Sequence, residues 1–106
     1  MIADQNYVGA FAALKLVDKA FPNNADVNNL LGYTSRNLNQ YTKAAIYYSK
    51  ALKIDPKHLG ALEYQGVLFL KTKKIAAAKA NLTKLKDLCG VACEEYKDLL
   101  KEIGTK

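Results

Sequence analysis

The chain has no tryptophan, one histidine (His58), one arginine (Arg36), two prolines and two cysteines in 106 residues. Each scarcity excludes something. Two prolines and six glycines are too few for collagenous or linker-like material. No apolar run approaches the roughly 18 residues that a membrane span needs, so none is expected. One histidine and two cysteines cannot supply the four ligands of an ordinary zinc site, so no metal site is expected. Net charge is +6, which raises the question of nucleic acid. But the basic residues are almost all lysines, and readers of bases and phosphates favour arginine's planar fork of donors. The lysines run from Lys15 to Lys106, with Lys71, Lys73 and Lys74 the densest group, in an expected loop. They read as solvated helix faces, and no nucleic-acid partner is expected.

Catalytic constellations are missing as well. His58 has no Ser, Cys or carboxylate set beside it. Glu94 and Glu95 are neighbours on an expected helix, so they face different ways and suit capping better than paired acid–base work. No glycine-rich phosphate loop occurs. The reading is therefore of a protein that is not an enzyme and needs no cofactor. Half of the residues are hydrophobic and a quarter charged, the balance of a folded chain, and the length suits one domain over 1–106. Met1-Ile2-Ala3-Asp4 has neither a basic stretch nor an apolar segment behind it. The expectation is a cytoplasmic protein, or an exported one whose leader has been removed.

What is present is an internal repeat. Residues 40–58, shifted back by 34, fall on residues 6–24: Tyr41 on Tyr7, Ala44 on Ala10, Lys53 on Lys19 and Pro56 on Pro22. Shifted forward by 34, Tyr41 falls on Ile75, Ala44 on Ala78, Tyr48 on Leu82 and Ile54 on Leu88, while Gly32 falls on Gly66. Within each copy the apolar residues recur at helical spacing, as in Leu30, Leu31, Leu38 and in Ala44, Ala45, Tyr48, Ala51, Leu52. Helices are expected near 5–20, 25–38, 41–54, 59–71, 75–88 and 93–103. Gly32 and Gly66 lie inside helical patterns at a cost of roughly 1 kcal/mol each. That cost is explained if neighbouring helices cross there, with Ala44 and Ala78 as the matching small faces.

The period, with Leu31-Gly32, Ala44, Tyr48 and Pro56 in one copy and Leu62, Gly66, Phe69, Ala78 and Leu82 in the next, resembles the tetratricopeptide repeat (TPR). Departures are Asn28 where Trp is usual, Ser35 where an aromatic is usual and Gln65 where Leu is usual. The resemblance implies an all-α TPR solenoid of about six antiparallel helices. It would comprise the second helix of a half repeat (5–20), two complete repeats (25–56 and 59–90) and a cap helix (93–103). It also implies a module that binds a protein or peptide in a concave groove. Carried onto this chain, the groove would be lined by Asp26, Asn29, Tyr33, Arg36 and Asn37 in one repeat. Glu63, Val67, Leu70 and Lys71 would line it in the next, with Lys97 and Lys101 from the cap.

The cap helix carries Tyr96, Leu99, Leu100 and Ile103 as one apolar stripe. At the other end Tyr7, Ala10, Phe11 and Leu14 lack a partner helix. The expectation is a homo-oligomer formed through Tyr7, Phe11 and Leu14, or a preceding helix that covers them; a self-assembling element is the alternative function. Cys89 and Cys93 flank Gly90, which breaks the helix. Three readings stay open: a disulfide pinning the cap, two buried thiols, or metal or redox chemistry. The run from His58 to Gly66, with Leu85–Cys89 and Cys93-Glu94-Glu95-Tyr96, further resembles small bacterial TPR proteins, many of them exported and of unassigned role.

Overall fold

The computed structural model describes residues 6–104. They form six helices: α1 (Tyr7–Ala20), α2 (Ala25–Asn37), α3 (Tyr41–Ile54), α4 (Leu59–Lys71), α5 (Ile75–Cys89) and α6 (Glu94–Gly104). The bounds lie within one or two residues of those expected, although residue 5, the expected start of the first helix, lies outside the described residues. Helices adjacent in sequence pack as successive pairs, the arrangement of a TPR array. Contacts divide the chain into two units, Met1–Pro56 and Lys57–Lys106.

In the first unit α2 packs against both α1 and α3. Asn24 caps α2, its Oδ1 accepting from the Val27 N–H at 3.0 Å, which satisfies one of the orphan donors of the first turn. The core is Val27 and Leu31 from α2 with Ala44, Tyr48 and Ala51 from α3. Gly32 is the close-approach point. A Cβ built there would stand 2.6 Å from two carbons of the Tyr48 ring. The notch is thus filled by Tyr48, which corrects the expectation that Ala44 supplies the matching face.

In the second unit α4, α5 and α6 pack on one another. His58 caps α4, its Nδ1 accepting from the Ala61 N–H at 3.0 Å; this is a structural use for the lone histidine. Leu62, Leu68, Leu85 and Leu99 are buried. Here the notch of Gly66 is filled by Leu99 of α6, whose Cδ2 would lie 2.7 Å from an added Cβ. Ala78 is buried but is not the side chain that meets the glycine, so that expectation too is corrected. Gln65, out of pattern for the repeat, has a polar partner. The Asn81 Nδ2 donates to Gln65 Oε1 at 2.8 Å and to the Leu62 carbonyl at 3.1 Å, tying α5 to α4.

The turn inside each complete helix pair is built alike. After α2, Asn39 N–H donates to Arg36 O at 2.9 Å and Gln40 N–H to Ser35 O at 2.8 Å. After α4, Lys73 N–H donates to Leu70 O at 3.2 Å and Lys74 N–H to Phe69 O at 2.7 Å. Both are Schellman closures, which satisfy the last carbonyls through one residue in left-handed conformation. That residue is Asn39 (φ 61°) in one case and Lys73 (φ 63°) in the other, and the two are 34 apart.

Candidate functional site

The expected groove residues fall in two groups, one in each unit. In the first, Asn29, Tyr33 and Arg36 follow one another at i, i+4 and i+7 along α2 and so share a face. The Arg36 guanidinium carbon lies 5.3 Å from the Tyr33 ring centroid, within cation–π range. The edge of the Tyr7 ring, from α1, meets Tyr33 at 6.2 Å and 64°. Asn37 Nδ2 donates to the Tyr33 carbonyl at 2.8 Å, so this asparagine serves the end of its own helix. Asp26 is exposed.

Two polar groups on this face were not singled out by sequence reasoning. Asn29 is only 6 % exposed, and its Oδ1 has no hydrogen-bond partner among the described residues; nor has Arg36 Nε. A buried donor or acceptor without a partner costs about 1–3 kcal/mol, so each asks for a reason. Residue type alone could not have flagged them, because burial decides whether an asparagine is costly.

A second aromatic group lies beside the first. Phe11 of α1 meets Tyr47 of α3 edge-on at 6.0 Å. Lys15 Nζ stands 5.8 Å from the Tyr47 centroid and Lys43 Nζ 5.8 Å from the Phe11 centroid. Tyr7, Phe11 and Leu14 are all half-buried, and the two rings are engaged within the unit. This corrects the expectation that these three residues form an open edge. The apolar side chains that α1 exposes are Val8 (67 %), Leu16 (71 %), Val17 and Phe21, on its other side.

In the second unit Glu63 and Val67 are half-buried and Lys71, Lys97 and Lys101 exposed. Leu70 is 7 % exposed and lies in the core, so it does not extend an apolar strip from Val67. Cys89 and Cys93 are joined in a disulfide, with Cα atoms 5.6 Å apart. Among the described residues no three of His, Cys, Asp and Glu are placed to hold a metal ion, and no helix is long and apolar enough to cross a membrane.

Comparison with known proteins agrees with this geometry. Residues 25–58, which hold α2, α3 and the turns flanking them, match the tetratricopeptide repeat family. A 55-residue stretch, 52 % of the chain, is 36 % identical to the uncharacterized protein ycf37 of Guillardia theta. The match covers 31 % of that protein, so the chain spans about a third of the length of this relative.

Proposed function

We propose, on the premise that this chain is a TPR repeat protein whose residues 25–58 form one such repeat, that it is a non-catalytic module and that α2 reads an extended peptide segment of a protein partner. TPR modules generally mediate protein–protein contacts and do no chemistry of their own. The observation that carries the assignment to α2 is the pair of unpartnered buried groups, Asn29 Oδ1 and Arg36 Nε, on either side of Tyr33. An extended peptide presents N–H and C=O groups at regular intervals. Asn29 accepts from one of its amides and Arg36 donates to one of its oxygens.

The rise of 1.5 Å per residue sets Asn29 and Arg36 about 10 Å apart along the helix, the reach of about three residues of extended chain. Tyr33 lies between them, held by Arg36 and Tyr7. Tyr and Arg are the residue types that dominate binding energy when packed and desolvated. Holding them before the partner arrives lowers the ordering cost of binding.

Selection on an array of random peptides tests this. The wild-type chain should select a common short sequence. Tyr33→Ala with Arg36→Ala should lower affinity for that sequence by tenfold or more, at about 1–2 kcal/mol for each truncated contact. Unaltered selection by the double variant, with helical content preserved, would remove the site from α2.

A further inference from the structure

The α5–α6 junction combines three features. Cys89 is the last residue of α5 and Cys93 directly precedes α6, and their disulfide spans the turn at Gly90 (φ 85°). The bond encloses three residues, so it restrains the unfolded chain little and acts on the junction itself. Each sulfur also lies against an oxygen: Cys89 Sγ is 3.1 Å from the Leu85 carbonyl and Cys93 Sγ is 3.2 Å from Glu95 Oε1. A disulfide sulfur has no hydrogen to give those oxygens, whereas a thiol has one. Acceptors that only the reduced state can use are already in position.

We propose that Cys89–Cys93 is a reversible thiol–disulfide centre, open to glutathione-type and dithiol reductants, whose state sets how firmly α6 is held on α4. A reductant thiolate attacks one sulfur and the S–S bond breaks. A mixed disulfide forms and the other cysteine leaves as a thiolate, which takes a proton from water. A second reductant thiolate then cleaves the mixed disulfide and releases the first cysteine, likewise protonated. In all, two reductant thiols become one disulfide, and two electrons and two protons pass to the protein. The Cys89 S–H then donates to the Leu85 carbonyl and the Cys93 S–H to the Glu95 carboxylate. Both cysteines are half-buried, which leaves a path for the reductant.

The consequence falls on α6. Leu99 is fully buried and fills the notch at Gly66. Reduction removes the covalent tie nearest to that contact, leaving α6 attached through Gly90, Val91 and Ala92 and through its own apolar stripe. Stabilising the dithiol draws the pair toward the labile class of disulfide, unlike the staples of secreted proteins, which resist glutathione.

The test is equilibration of the full chain in mixtures of reduced and oxidised glutathione, followed by alkylation and mass measurement. Reversible conversion between the two states is expected. Glu95→Leu, which deletes one acceptor, should move the midpoint roughly fivefold toward the disulfide; Glu95→Gln, which keeps an acceptor, should return most of that shift. In the wild-type chain, amide exchange in α6 should be severalfold faster in the reduced state, with α2 unchanged as the internal control. A disulfide that glutathione never opens overturns the proposal, as does a midpoint insensitive to Glu95→Leu. Equal exchange of α6 in both states overturns the control of the cap, and the first and last of these readings need no variant.

Discussion

Gly32 and Gly66 occupy one position of the 34-residue register, yet what presses on them differs. In the first unit the notch holds the face of an aromatic ring, Tyr48, from the helix that completes the same pair. In the second it holds the branched end of Leu99, from α6, the helix after the pair. A ring packed at 2.6 Å from the site of a Cβ has one plane and two torsions with which to escape. A leucine meets the same site with terminal methyl groups that swing on their own rotamers. The repeat therefore conserves a need for space, not a particular neighbour, and the two sites differ in how much they tolerate.

The largest effect is expected at the ring. Gly32→Leu places a branched side chain where the Tyr48 ring stands, in a core that is close-packed. It should cost about 3 kcal/mol or more, the upper end of overpacking, and is read by urea denaturation. A loss under 1 kcal/mol would mean that α2 and α3 separate easily, and would dissolve the contrast.

At Gly66 the contrast sharpens into a cycle. Gly66→Ala should cost about 1–2 kcal/mol, because Leu99 yields part of the way. Leu99→Ala alone should cost about 2–4 kcal/mol through the cavity it leaves. In the Leu99→Ala background Gly66→Ala should be close to neutral, since the added methyl enters vacated space. The two changes should thus couple by about 1 kcal/mol or more. Additive losses would show that the two residues do not share the notch.

How far the sequence foretells such contacts can be judged from particular residues. Helix ends were legible because local chemistry makes them: the Asn24 and His58 side chains cap the helices that follow, and Pro22 and Pro56 stand in turns. The period was legible because helical spacing survives substitution, as where Leu14 matches Tyr48. Which side chain reaches a given notch was not, since the period records register and leaves side-chain length and neighbouring helices unstated. Leu99 for Ala78 is that error. So is the inward turn of Tyr7 and Phe11, whose long rings reach α2 and α3. Gln65 looked like a weakened contact because its partner, Asn81, lies 16 residues away on α5. On the candidate site, Tyr33 and Arg36 could be named by type. The burial of Asn29 and the loss of Leu70 to the core depend on packing that no local pattern carries.

The smallest expected effect compares the two Schellman turns. Asn39 and Lys73 hold the same left-handed conformation, φ 61° and 63°, but they are not equally suited to it. Asparagine visits that region readily, while lysine pays a steric cost of roughly 1–2 kcal/mol between its Cβ and the following carbonyl. Lys73→Gly removes that cost and gives back part of the gain, because glycine loses more freedom on folding. The net should be a stabilisation of about 0.5 kcal/mol, or a melting temperature higher by roughly 2–4 °C. The same exchange at Asn39 should change little, since the residue there already fits. The backbone donations from residues 73 and 74 to Leu70 and Phe69 are untouched by either change. A difference in melting between the two variants therefore isolates the fit of one side chain to one backbone conformation. Equal shifts at 39 and 73 would show that the turns are alike in strain as well as in hydrogen bonding.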